Sequence, residues 1–222
     1  MVIMNKRKPK AIIIIANGAV RDIAFHRALL KKAGIIICAD GGANNAARLG
    51  ITPDYVIGDL DSIDKSILKR LQKTEGVKII FDPNQDKTDL ELAITLAESF
   101  TPGEITILGA IGDRLDHTMA NIFCLNKIRN DIKARIIDEK NEIQLVDSAI
   151  ELIGKKGDIV SVIPLTPIKN LTYDGLQWEV KNSNSEFGWF GVCNKMTKNK
   201  AGIKFDSGRI LVIKVKNQSG AK

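Results

Sequence analysis

The chain has 222 residues, 44% of them apolar, a mean hydropathy of −0.03 and a net charge of +7. That length can bury a core in one large or two small domains, and the balance fits a globular chain rather than a disordered or membrane-embedded one. The basic excess is uneven: residues 1–148 carry 21 Lys and Arg against 20 Asp and Glu, whereas residues 149–222 carry 12 against 6. A nucleic-acid partner would suit such asymmetry. The basic residues, however, are interleaved with strand-like hydrophobics and aromatics make up only 5%, so a solvated face is the stronger reading, with an anionic substrate as an alternative.

The polar start followed by the apolar run 11–16 has the outline of a signal peptide. The run is short, meets Asn17-Gly18 at once and lacks a small-residue cleavage pattern, so it reads as a first buried strand. Further strands are expected at 35–39, 55–57, 78–81, 104–108 and 134–137, each apolar on both faces as a helix-covered parallel sheet requires. Helices are expected between them at 22–32, 43–49, 65–73, 89–99 and 116–128. This alternation implies right-handed crossovers and a Rossmann-like α/β sheet. Thr88-Asp89-Leu90-Glu91 matches a capping box, with Leu90, Ile94 and Ala97 as the inward stripe of the helix it opens.

The pattern changes near Glu139. Short strands are expected at 150–153, 158–164, 170–173, 176–180 and 209–215, with hairpin-type signals at Asp174-Gly175 and Ser207-Gly208 and no helix after Asn130. The chain thus divides into an α/β domain over 1–140 and a small β-sandwich over 141–222. Cys38, Cys124 and Cys193 are scattered and odd in number, without a disulfide framework or CxxC site, which fits a reducing cytoplasm.

Four turns at the ends of expected parallel strands carry the chemistry. They are Asp40-Gly41-Gly42-Ala43-Asn44, Gly58-Asp59-Leu60-Asp61-Ser62, Asp86-Lys87-Thr88-Asp89 and Gly109-Ala110-Ile111-Gly112-Asp113-Arg114-Leu115-Asp116-His117. Open α/β sheets bind ligands at that edge, and carboxylates, glycines and a few cations there suit a Mg²⁺-bound polyphosphate. Asp59 and Asp61 can face one ion while Leu60 turns inward, though such a pair is also an ordinary solvated turn. The glycines of 40–44 permit close approach of a phosphate, or simply a tight turn. Arg114 can clamp phosphate or pair with Asp113 or Asp116. Neither a Walker motif nor a complete G-x-G-x-x-G is present.

The strings DGGAN, GDLDSI, DKTDLELA and GAIGDRLDH, with Asn121 beyond, occur in an order and spacing that resembles the thiamin pyrophosphokinase family. Gly175-Leu176-Gln177-Trp178 and Val192-Cys193-Asn194 are similar to that family's thiamin-side segments. The resemblance implies transfer of the pyrophosphoryl group of ATP to thiamin, giving thiamin diphosphate and AMP, by a homodimer with active sites between subunits. It implies a Mg²⁺ site at Asp40, Asp59, Asp61 and Asp89, with Asp59, Asp61 and Asp89 catalytic. It implies nucleotide contacts at Asp40, Gly41, Gly42, Gln85, Thr88, Gly109, Arg114 and Asp116, and thiamin contacts at Trp178 and Asn194, with Trp189 competing for the stacking role. Two departures stand out: Asp113 where the family shows glycine, and Cys193 where it shows serine. Two other readings remain on the residues alone: a nucleotidyl- or glycosyl-transferase using a DxD-held metal, and a basic nucleic-acid-binding module.

Overall fold

The computed structural model describes residues 11–83 and 86–216, and the chain forms two compact units, Met1–Glu139 and Lys140–Lys222. The first holds six strands: β1 (Ala11–Ile15), β2 (Ile35–Ala39), β3 (Tyr55–Gly58), β4 (Lys78–Phe81), β5 (Glu104–Leu108) and β6 (Lys133–Ile137). All pair in parallel, in the order β6-β5-β1-β2-β3-β4. The central strand β1 is Ala-Ile-Ile-Ile-Ile, and Ile12, Ile14 and Ile15 are fully buried, as a strand covered on both faces must be.

Five helices connect them: α1 (Ile23–Leu30), α2 (Gly42–Arg48), α3 (Lys65–Leu71), α4 (Asp89–Ser99) and α5 (Leu115–Phe123). The last is shorter than its apolar pattern suggests, because the chain tightens into a 3-10 turn over Cys124–Lys127. Strand order decides the path of α4. Since β4 is at the edge and β5 pairs with β1, α4 must recross the sheet, and it packs on β1, β2 and β3. Its buried residues Leu90, Ala93, Ile94 and Ala97 follow helical spacing. Its start is held by the expected capping box: Glu91 N donates to Thr88 Oγ1 at 3.3 Å and Thr88 N donates to Glu91 Oε2 at 2.9 Å.

The second unit is all β. One antiparallel sheet runs β12 (Gly191–Lys195), β9 (Ile159–Pro164), β14 (Ile210–Val215), β7 (Asn141–Val146). The other runs β11 (Ser183–Ser185), β10 (Ile168–Asp174), β13 (Lys200–Lys204), β8 (Ala149–Ile153). Their inward residues, among them Val160, Val162, Leu171, Tyr173, Ile203 and Val212, form one core. Lys214 ties the two sheets: its Nζ donates to Ile153 O at 2.6 Å and pairs with Glu142 at 2.8 Å, both charged side chains largely buried.

Three expectations are corrected here. Residues 176–180 form no strand; only Leu176 bridges to Met196. Strands β7, β11, β12 and β13 were not anticipated, because sequences such as GVCNK and KAGIK lack clean apolar alternation and pair for want of a better partner for their backbone. Neither hairpin signal makes a tight hairpin: Asp174-Gly175 opens into a long loop, and Ser207-Gly208 joins β13 to β14 in the other sheet.

Candidate active site

The C-terminal ends of β2 and β3 are adjacent in the sheet, so the turns that follow them meet. Asp40, Asp59 and Asp61 each present a carboxylate oxygen, and the three oxygens lie within 4.8 Å of one another. Asp40 and Leu60 hold positive φ of 40° and 63°, a conformation costing non-glycine residues on the order of 1 kcal/mol or more. The strain serves placement. Asp40 N is fixed to Ile57 O at 2.8 Å, Asp61 N donates to Asp59 Oδ1 at 3.3 Å, and Leu60 packs on the core while its two neighbours face outward.

Asp89 reaches the same place from the first residue of α4. A Cβ on Gly58, whose φ is +146°, would sit 2.6 Å from Asp89 Oδ1 and 2.9 Å from Asp40 Cβ. Burial pushes the Asp40 carboxyl above the usual range, and the charges of Asp59 and Asp61 add to it. Burial, then the charges of Asp40 and Asp59, push Asp89 up to about 6. Asp40 Oδ1 is buried without a hydrogen-bond partner among the described residues. Crowded carboxylates with an orphaned buried oxygen are what a hard divalent cation relieves, so the donor set fits Mg²⁺.

The glycines of these turns have packing reasons. Where Gly41 would carry a Cβ stands the Asn17 side chain, and where Gly42 would carry one stands Ile15 O. Gly109, at φ +63°, leaves its Cβ position 2.5 Å from Ala16 O, and Gly18 N donates to Gly109 O at 2.6 Å. Their first duty is therefore to let α2 and the turns after β1 and β5 close on one another. Sequence reasoning missed the turn after β1 and Asn45 behind it, and gave Asn44 no role of its own. Asn45, 5% exposed, donates to Ala16 O and Gly18 O, both at 2.9 Å. Asn44 donates to Ser62 O at 2.9 Å and accepts from Asp64 N at 3.0 Å, anchoring the acidic turn to α2. Two successive asparagines just inside a helix start, where they are poor helix formers, were the available signal.

Of the other expected residues, Thr88 spends its hydroxyl in the capping box. Arg114 forks onto Asp116, with Nη2 2.6 Å from Oδ2, and holds that carboxyl down at about 2. Both are exposed, and the loop before them is pinned by Thr118 to Gly112 and by Asn121 to Ala110 O. Gln85 lies outside the described residues. In the second unit Trp178 is 52% exposed and Trp189 40%, and Phe187, Phe190 and Val192, near Trp189 in the chain, are exposed as well. Asn194, expected as a substrate contact, is buried. Its Oδ1 accepts from Trp178 N at 3.0 Å and Lys195 N at 2.8 Å, and its Nδ2 donates to Trp178 O at 2.8 Å. It clamps the backbone of Trp178 from below, a role that follows from its polar atoms having been drawn inward.

Two family models match: the thiamin pyrophosphokinase catalytic domain over residues 26–137 and the thiamin pyrophosphokinase vitamin B1 binding domain over residues 142–210. The chain is 29% identical to thiamine pyrophosphokinase of Bacillus subtilis, with 92% of this chain and 98% of that protein aligned. It is 28% identical to thiamine pyrophosphokinase 1 of Arabidopsis thaliana, over 86% and 82% of the two chains. The crystal structure of the Bacillus subtilis thiamine pyrophosphokinase superposes with a TM-score of 0.83 at 27% identity, covering 94% of this chain and all of that one. No helix among the described residues is long and apolar enough to cross a membrane. The acidic cluster, the two units and these matches agree: the chain is an enzyme of the thiamin pyrophosphokinase family.

Proposed function

We propose that the chain transfers the pyrophosphoryl group of ATP to the hydroxyethyl oxygen of thiamin, giving thiamin diphosphate and AMP. The observation that carries this reading is the convergence of Asp40, Asp59 and Asp61, with Asp89 beside them, at the edge where parallel sheets bind ligands. Asp40, Asp59, Asp61 and Asp89 would hold Mg²⁺, which when bound offsets charge on the phosphate oxygens. The chain's own part is positioning. The strained turns keep four carboxylates close before any ligand arrives, so little reorganisation remains at the moment of reaction. Arg114, exposed and able to exchange Asp116 for a phosphate, supplies a fork for the nucleotide, and Asp40, Gly41, Gly42, Gln85, Thr88, Gly109 and Asp116 are assigned to the same substrate by the family resemblance. Trp178, held by Asn194, offers a ring face to the cationic thiazolium.

The same reading assigns ATP and Mg²⁺ to residues 1–140 and thiamin to residues 141–222, the latter also joining two chains in a homodimer. The exposure of the large aromatics Trp178, Phe187, Trp189 and Phe190 supports a surface that is covered in the assembly. Three free cysteines, two of them buried, accord with a cytoplasmic setting. No specific observation favours a DxD nucleotidyl- or glycosyl-transferase or a nucleic-acid-binding module. Purified protein with ATP, Mg²⁺ and thiamin should form AMP and thiamin diphosphate in equal amounts. ADP with thiamin monophosphate, or no thiamin-dependent AMP, would overturn the reading. Mixing Asp61→Asn and Asn194→Ala chains should restore activity if each site draws on both subunits, and a fully active monomer would refute the homodimer.

A further inference from the structure

Between α5 and β6 the 3-10 turn Cys124–Lys127 packs against α4. Cys124, Leu125 and Ile128 are buried, so the segment has a fixed base. Two polar ties then join it to opposite ends of α4. At the last turn of the helix, Arg129 N donates to Glu98 Oε1 at 2.8 Å. At the first turn, the Lys127 ammonium donates to Glu91 Oε1. This second tie reaches further than the first, because the other oxygen of Glu91 closes the capping box. Oε2 accepts from Thr88 N at 2.9 Å and from Thr88 Oγ1 at 3.0 Å.

Thr88 and Glu91 bracket Asp89, the first residue of α4. First turns fray, and the neighbours of Asp89 push it outward. Its carboxylate is crowded against Asp40 over Gly58 and is repelled by the charges of Asp40 and Asp59. Unwinding the first turn would relieve that repulsion by letting Asp89 swing into water. The capping box opposes unwinding, yet a long glutamate side chain regains rotamer freedom and hydration when it lets go. Lys127 removes that freedom. Glu91 is 15% exposed and Lys127 61%, so the pair lies at a rim, where an ion pair adds little to overall stability. A role in geometry suits it better than a role in stability.

We propose that Lys127 is a positioning residue for Asp89: by holding Glu91 in the capping box it keeps the first turn of α4 wound and the Asp89 carboxylate beside Asp40 before a cation arrives. This rests on the function proposed above, in which those two acids share Mg²⁺. Lys127 acts through Glu91 and Thr88 rather than on the substrates.

The test is Lys127→Met, which keeps an unbranched apolar stem and removes the charge. Tm of the metal-free protein should fall by no more than about 4 °C, as for loss of one rim ion pair. The midpoint Mg²⁺ concentration, read from the Mg²⁺-dependent rise in Tm and separately from AMP formation, should rise about tenfold, the low end of what partners of metal-holding groups are worth. The KM for thiamin should not move. Lys127→Arg restores the charge and should restore the midpoint. Glu91→Gln keeps the capping box, since an amide oxygen also accepts there, but loses the ion pair. It should shift the midpoint as Lys127→Met does, and the double variant should be no worse than either alone. Glu98→Ala removes the other tie and should lower Tm without moving the midpoint. An unchanged midpoint in Lys127→Met, an equal shift in Glu98→Ala, or additive effects of Lys127→Met and Glu91→Gln would overturn the inference. In each of those cases thiamin-dependent AMP from the unmodified protein would leave the proposed function standing. An unmodified protein with neither a Mg²⁺ response nor thiamin-dependent AMP would end both.

Discussion

Asp40 and Asp89 meet over Gly58: the Cβ of one and a carboxylate oxygen of the other lie 2.9 and 2.6 Å from the point where a Gly58 side chain would begin. One acid comes from the end of β2 and the other from the start of α4, and only a residue without a side chain, able to hold φ +146°, can stand between them. Gly58→Ala should therefore drive the two carboxylates apart. The strained backbone alone should cost about 1–3 kcal/mol, and AMP formation should be lost in protein that circular dichroism still reports as folded. Normal turnover in folded Gly58→Ala protein would mean that the spacing of these acids does not matter.

Crowding four carboxylates raises the energy of the metal-free protein. Asp40→Asn removes one charge and the orphaned oxygen's need for a cation, so it should stabilise the metal-free form. Each kcal/mol relieved should raise Tm by about 2–4 °C in a chain of this size. The same variant should lose most of the Mg²⁺-dependent rise in Tm, and its turnover should fall by on the order of 10²-fold or more, as for loss of one preorganised electrostatic group. Differential scanning fluorimetry with and without Mg²⁺ reads the first two effects. A full Mg²⁺ shift in Asp40→Asn would place the ion elsewhere.

Asn194 makes three bonds at 2.8–3.0 Å to the backbone around Trp178 and Lys195. Asn194→Ala should leave those groups unsatisfied, costing about 1–3 kcal/mol of stability, and should weaken thiamin binding far more than ATP binding by releasing Trp178. Urea unfolding and separate isothermal titrations with each substrate check both parts. Equal loss for both substrates would indicate general unfolding rather than a misplaced tryptophan.

The Lys214–Glu142 pair lies at 2.8 Å with both side chains largely buried, and Lys214 also holds Ile153 O of the opposite sheet. Lys214→Met should leave Glu142 charged in a poor environment and cost about 3–5 kcal/mol, whereas Lys214→Met with Glu142→Leu should recover much of that. A double-mutant cycle in urea gives the coupling directly, and additive single effects would mean the two charges act independently.

Local sequence determined a good deal by itself. The all-apolar runs of β1 and β2 could only be strands covered on both faces, and Thr88 with Glu91 marked the start of α4 to the residue. The acidic turns were legible for the same reason, since each follows its strand directly in the chain. In the β half the signal was weaker: GVCNK and KAGIK become strands only because neighbouring backbones offer them hydrogen bonds, a property of the partner and not of the segment. What tertiary structure alone decided was which residues meet. The strand order sends α4 back across the sheet and so carries Asp89 to Asp40, and the 3-10 turn after α5 brings Lys127 to Glu91. Those encounters depend on contacts distant in sequence, and no local pattern records them. The inward turn of Asn194 follows the same logic, because a buried amide goes where backbone groups await partners, and their position is known only once the chain has folded.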